Sequence, residues 1–229
     1  MKGSIRLRLI VMNVLQWAVW GAYLTSMGSY LASAGLATKI GIFYAMQGIV
    51  SIFMPTIMGI IADKFIPAQK LLGLCHGIAG AAMLGAGFYG MTAGSEVSFG
   101  ILFGLYALSV AFYMPTIALS NSVAYNILER NGYDTVKVFP PIRVFGTIGF
   151  ILAMLFVNFV SVGGVQFQNS YNQFITSGVI GLAMLVYCFT LPDCPCSASS
   201  NENQTFAERM GLNAFSLFKN RQMAIFFIF

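Results

Sequence analysis

Residues 141–161 read PIRVFGTIGFILAMLFVNFVS, a stretch holding a single charge, Arg143. A helix needs about 20 mostly apolar residues to cross the roughly 30 Å hydrocarbon core of a bilayer. The stretch is therefore expected to span a membrane. Five further runs of similar character cover residues 9–31, 40–62, 71–91, 99–123 and 174–191, and another opens at Met223 and runs to Phe229. Composition agrees. Of 229 residues, 58% are hydrophobic and 8% are charged, against about 25% charged in a soluble domain. A soluble surface so poor in charge would associate, so the expected solvent is lipid.

The gaps between the runs carry the charge. With the N-terminus placed inside, the inner segments hold Lys2, Arg6 and Arg8, then Lys64 and Lys70, then Arg130 and Lys137, then Arg209, Lys219 and Arg221; the outer segments hold only Lys39. Lys and Arg favour the cytoplasmic side, so the alternation supports six spans and a cytoplasmic N-terminus. The net charge of +5 is spread over these gaps rather than gathered on one face, which argues against a nucleic-acid partner. A cleaved signal peptide is the other reading of the first run, with Ala32-Ser33-Ala34 as the cleavage site. That run is too long for a signal peptide, and Asn13 and Gln16 interrupt it.

The expected organisation is an all-α six-helix bundle over residues 1–191, an inner loop over 192–222, and the start of a seventh, truncated helix over 223–229. Within the loop, 197–204 is rich in Ser, Asn and Glu and reads as a flexible linker. Six spans followed by a long inner linker form the half-unit of a twelve-span transporter with two similar halves. Cys75 and Cys188 fall in apolar runs and are expected to pack. Cys194 and Cys196 form a Cys-Pro-Cys in a polar loop. With His76 the only histidine, no metal site is expected. No nucleotide-binding or hydrolase motif occurs, so the chain is not expected to be an enzyme or to need a cofactor.

Arg143 is the most informative residue. A charge in a spanning segment usually faces a wet cavity or a partner, although an arginine near a helix end can also snorkel to the interface. Proline is tolerated in a first helical turn, so this helix is expected to begin near Pro141, with Arg143 in its first turn. Thr147 and Phe150 follow at offsets that fall on the same helical face. A cation, a hydroxyl and an aromatic ring on one stripe suit a polar ligand with a flat ring; Phe150 facing lipid and Thr147 bonding its own backbone is the structural alternative. Gly146 and Gly149 lie beside the stripe and would permit close helix packing. On the first run, Gln16, Trp20 and Tyr23 share a face that could line a cavity. Gln47 and Asn121 are amides that either line it too or bond a neighbouring helix. His76 could relay protons or bond a backbone group. Gly59, Asp63 and Lys64 close the second run as a tight helix end whose charges could latch to neighbours. Pro55 and Pro115, each in a Met-Pro-Thr-Ile, are expected to kink their helices.

These residues bear a family likeness. Gln16-Trp17 to Trp20-Gly21, Phe53-Met54-Pro55 to Gly59-Ile60, Ala62-Asp63-Lys64, Tyr113-Met114-Pro115-Thr116, and above all Phe139-Pro140-Pro141-Ile142-Arg143 with Gly146-Thr147-Ile148-Gly149-Phe150 occur in the order and spacing of one family. The chain resembles the nucleoside:proton symporters of the major facilitator superfamily, found in bacterial inner membranes. The resemblance implies a twelve-helix fold, of which this is the N-terminal half, and proton-driven nucleoside import by alternating access. It implies that Arg143, Thr147 and Phe150 line the substrate pocket; on their own chemistry, Gln16, Trp20 and Asn121 are further candidates to line it. Gly59, Asp63 and Lys64 fit the superfamily's loop motif, though Ile66-Pro67-Ala68 replaces its second glycine and basic pair. The partners implied are a nucleoside, protons, the lipid bilayer and the missing C-terminal half, where the titrating carboxylate is expected. A permease for a sugar or an organic acid, and a non-transporting membrane scaffold or sensor, remain open on the residues themselves.

Overall fold

A computed structural model describes residues 3–94 and 96–196. Four of its helical segments are long and apolar enough to cross a membrane: Ala37–Lys64, Ala68–Ala93, Phe99–Arg130 and Thr135–Phe159. The described elements are α1 (Gly3–Gly21), α2 (Met27–Ser33), α3 (Ile40–Lys64), α4 (Ala68–Ala93), α5 (Phe99–Arg130), α6 (Thr135–Phe159) and α7 (Asn172–Cys188), with a hairpin of β1 (Ser161–Val162) and β2 (Val165–Gln166) before α7. With α1 and α2 taken as one broken run, the helices run alternately up and down. One end of the bundle, here called proximal, gathers the start of α1, Phe65–Pro67, Asn131–Asp134 and the segment after α7. The other end is distal. The described residues thus form a mostly helical bundle with a small hairpin, of the kind a multi-pass membrane protein has. At 17 residues, α7 is about 25 Å long, and α1 is diluted by Arg6, Arg8, Asn13 and Gln16. The expected start of a seventh span at 223–229, the linker at 197–204, and Lys2, Arg209, Lys219 and Arg221 lie outside the described residues.

Three expectations are corrected. The sixth helical element, α6, begins at Thr135 rather than near Pro141. Its cap is Asp134, whose Oδ1 accepts from the Val136 and Lys137 amides at 3.0 and 3.3 Å, satisfying donors that have no partner in the first turn. Pro140 and Pro141 therefore lie inside the helix, and Arg143 sits in its third turn, about 12 Å from the start. Second, the first run is not one helix. The Tyr23 amide turns to the Trp20 carbonyl (3.3 Å), and Ser177 of α7 donates its hydroxyl to the Val19 carbonyl (2.8 Å). A side chain inserted into the hydrogen-bond ladder is a known cause of helix distortion. Tyr44 donates to the Leu24 carbonyl (2.8 Å), and Ser26 to Gln173 Oε1 (2.9 Å), so neighbouring helices stitch the break. Third, Cys194 does not sit in a polar loop. It is buried against α5, in one core with Cys75, Cys188, Val123 and Ile127. Burial pushes its thiol up to about 11. Its amide donates to Gln69 Oε1 (2.9 Å), Gln69 donates to Asp193 (3.0 Å), and Arg130 donates to the Asp193 carbonyl (3.0 Å). Arg8 likewise bonds the Thr190 carbonyl. The proximal end is tied off by these contacts.

Small residues set the helix spacing. A Cβ on Gly149 would collide with the backbone of Val14, and one on Gly21 with the backbone of Phe150. So α1 and α6 touch main chain to main chain, as small residues permit in membranes. This contact seats Arg143 and Phe150 beside the tryptophans of α1. At the distal end, Gly163 and Gly164 take positive φ, 61° and 80°, as a two-residue hairpin turn between β1 and β2 requires.

Candidate functional site

Trp17 and Trp20 of α1, Tyr113 of α5 and Phe150 of α6 form one aromatic wall. Trp20 lies 5.7 Å from Trp17, 6.4 Å from Tyr113 and 6.4 Å edge-on to Phe150, ring centre to ring centre. The Arg143 guanidinium lies over Trp17, its Cζ 3.9 Å from the ring centre. This is a cation–π contact, worth about 0.5–2 kcal/mol depending on desolvation. The only ion pair among the described residues joins Lys137 to Asp134, so Arg143 has no carboxylate there to neutralise it. The Arg143 side chain and the exposed Thr147 line an open groove of about 450 Å³ with Phe139, Pro140 and Val144. The expected stripe is thus divided: Arg143 and Thr147 face the groove, while Phe150 packs on Trp20. Gly146 makes room for the arginine, since a Cβ there would lie 2.6 Å from Trp17 and 2.9 Å from the guanidinium.

Gln16 occupies a different environment. It is fully buried. Its amide nitrogen donates to Thr116 Oγ1 (2.8 Å), and its amide oxygen accepts from His76 Nε2 (2.8 Å). Tyr113 donates to the Gln16 carbonyl (2.8 Å), and Thr116 donates onward to the Tyr113 carbonyl. A solute reaching Gln16 would have to displace Thr116 or His76. Tyr23, expected on the same face, is fully buried too. Trp20 is half-buried and its indole donates to Gln47 Oε1 (3.0 Å); Gln47 in turn donates to Tyr106 (2.8 Å). Of the two amides left undecided by sequence, Gln47 thus bonds neighbouring helices.

Asn121 takes the other course. It is half-buried and lines a second groove of about 450 Å³, on α5, with Ser122, Tyr125, Asn126 and Glu129. The two grooves adjoin where Tyr125 meets Phe139 edge to face at 4.7 Å. At the proximal end Gly59 is half-buried with open space beside it, and Asp63 and Lys64 are exposed. Neither charge is paired among the described residues. The described acids, Asp63, Glu96, Glu129, Asp134 and Asp193, all sit at helix ends or in connections.

Sequence reasoning passed over two features. Trp17 entered the sequence reading only within the motif Gln16-Trp17, yet its ring carries the guanidinium. The polar stripe Asn121, Ser122, Asn126 was legible only through Asn121; the four-residue spacing of Ser122 and Asn126 was the available signal.

The sequence pattern of the family described as "Nucleoside H+ symporter" matches residues 2–229. The chain is 42% identical over 228 residues to the xanthosine permease of Escherichia coli, covering 99% of this chain and 51% of that protein. It is 37% identical over 228 residues to the nucleoside permease NupG of the same organism, again covering 99% of this chain and 51% of the relative. Crystal structures of the nucleoside transporter NupG superpose with TM-scores of 0.83, for a point mutant, and 0.76, both at 35% identity. They cover 98% and 100% of this chain and 53% of the NupG chain. The chain spans about half the length of the relatives it matches.

Proposed function

The chain belongs to the nucleoside H+ symporter family, and from that premise we propose that it forms the N-terminal half of a secondary active transporter that imports nucleosides with protons by alternating access. In this reading the bundle is the first six helices of a twelve-helix major-facilitator fold, 192–222 is the central loop, and 223–229 opens helix seven. The N-terminus is cytoplasmic and the membrane is the bacterial inner membrane. The energy source is the proton gradient, without a cofactor. The second half supplies the titrating carboxylate, since the described acids here sit at helix ends.

The observation that carries this reading is the unpaired guanidinium of Arg143 laid on Trp17, beside the exposed hydroxyl of Thr147 in an open groove. A nucleoside has both parts such a site can use. Arg143 and Thr147 hydrogen-bond ribose or base oxygens, and Phe150 with Trp20 offers ring faces and edges to an apolar face of the solute. Asn121 lines the adjoining groove, and Gln16 acts from behind by holding Tyr113 and Thr116. Gly59, Asp63 and Lys64 belong to the proximal gate, where Asp63 and Lys64 meet groups of the second half. The unpaired cation also favours a second reading, in which the solute is an organic acid whose carboxylate pairs with Arg143.

The test is uptake of radiolabelled uridine and adenosine by cells lacking nucleoside transporters and expressing the open reading frame that contains this chain. Uptake that collapses with a protonophore supports the symporter. No uptake by protein shown to be in the membrane overturns it, and competition by organic acids or sugars then identifies the solute.

A further inference from the structure

Ala118, Asn121, Ser122, Tyr125, Asn126 and Glu129 form one stripe of α5 lining the second groove. The side chains of Asn121, Ser122 and Asn126 have no hydrogen-bond partner among the described residues, and Asn126 Oδ1 is shut off from solvent as well. Leaving a desolvated amide without a partner is unfavourable, so the stripe is built to receive one. Its position says from where. Helices α5 and α6 are antiparallel and meet at Tyr125 and Phe139. Asn121 and Arg143 each lie one turn beyond that contact, toward the distal end, which places them at one depth on adjoining grooves.

We propose that the α5 groove reads the edge of the nucleobase, through the carboxamides of Asn121 and Asn126 with Ser122 and the ring of Tyr125 beside them. This rests on the nucleoside reading and assigns the part of the substrate that each groove takes. A carboxamide presents a donor and an acceptor side by side, the complement of the paired N–H and C=O of an oxo-base or the amino group and ring nitrogen of an amino-base. Ribose hydroxyls rotate to donate or accept and need no such pairing. Tyr125 is 43% exposed, leaving ring surface for the base to lie against. Ser122 and Asn126, one helical turn apart, form one edge of the groove; Asn121 and Tyr125 form the other.

The experiment measures KM in the same uptake cells for uridine, cytidine, inosine and adenosine, which share a sugar, and for 2′-deoxyuridine, which shares a base with uridine. The variants are Asn121→Leu, Asn126→Leu and Asn126→Asp. The expected result is a rise of about ten-fold or more for some bases and not others, as loss of a paired hydrogen bond gives. The ratio of uridine to 2′-deoxyuridine stays fixed. Asn126→Asp, nearly the same shape but acceptor only, should spare bases that donate and penalise those that accept, so it decides the matter if the leucine variants fail to reach the membrane. An unchanged ranking of bases, with KM moved uniformly or not at all, overturns the proposal and assigns the amides to another helix of the transporter. Wild-type protein that takes up no nucleoside overturns the transport reading itself, a separate result.

Discussion

Gln16 and Asn121 are both amides set into apolar helices, and they differ in what surrounds them. Gln16 is closed in. His76, Thr116 and Tyr113 converge on it from α4 and α5, and both polar atoms of its side chain are engaged at 2.8 Å. Asn121 looks onto a groove and bonds nothing among the described residues, like Ser122 and Asn126 below it and like Thr147 across the adjoining groove. A polar side chain in a membrane helix is costly until something answers it. The interior network is answered by the chain itself, so it fixes how α1, α4 and α5 sit together. The open face has no answering group among the described residues. A polar residue type in a span therefore does not by itself mark a binding site; its neighbours decide.

The comparison can be broken by mutation, because the two regions should fail in different assays. The largest effect is expected from Arg143→Ala in the complete transporter. Uptake should fall by about 100-fold, the scale of a lost hydrogen bond to a charged group, while membrane yield and thermal stability hold. Normal uptake by that variant would remove Arg143 from the site. Next, Gln16→Leu should lose about 1–3 kcal/mol of stability by orphaning the buried His76 Nε2 and taking a donor from Thr116. It should appear as a lower melting point in detergent with substrate KM little changed. A KM rise without a stability loss would move Gln16 from the interior to the binding face. The smallest effect is expected from Ser177→Ala, about 0.6 kcal/mol, the average for a hydrogen bond between membrane helices. Melting curves resolve it if the hydroxyl does hold the break in the first span; a silent substitution would leave that break to the Gly21–Phe150 contact.

The segments and their order were legible, since apolar length is nearly sufficient to find a spanning helix. The start of α6 was not, because counting apolar residues ignores the Asp134 cap, which lies outside the apolar run. The break after Gly21 was hidden for another reason. Its cause is a hydroxyl from Ser177, more than 150 residues away in sequence, and no local pattern announces a partner so distant. Arg143 and Thr147 were found from their spacing on one face, and they do share a groove. Gln16 was selected by the same logic and lies elsewhere. Helical spacing gives a side chain's direction, and the neighbouring helices determine whether that direction leads to protein or to open space.

The contact between Arg143 and Trp17 has a practical consequence. The chain contains two tryptophans, and they stand side by side with a guanidinium pressed on one of them. Indole emission responds to a nearby positive charge, so anything that lifts Arg143 off Trp17 should change the colour or yield of the light the protein gives out. The chain thus carries its own optical reporter beside the groove that Arg143 and Thr147 line. A titration in a fluorimeter, with Trp17→Phe as the blank, would follow occupancy without a label.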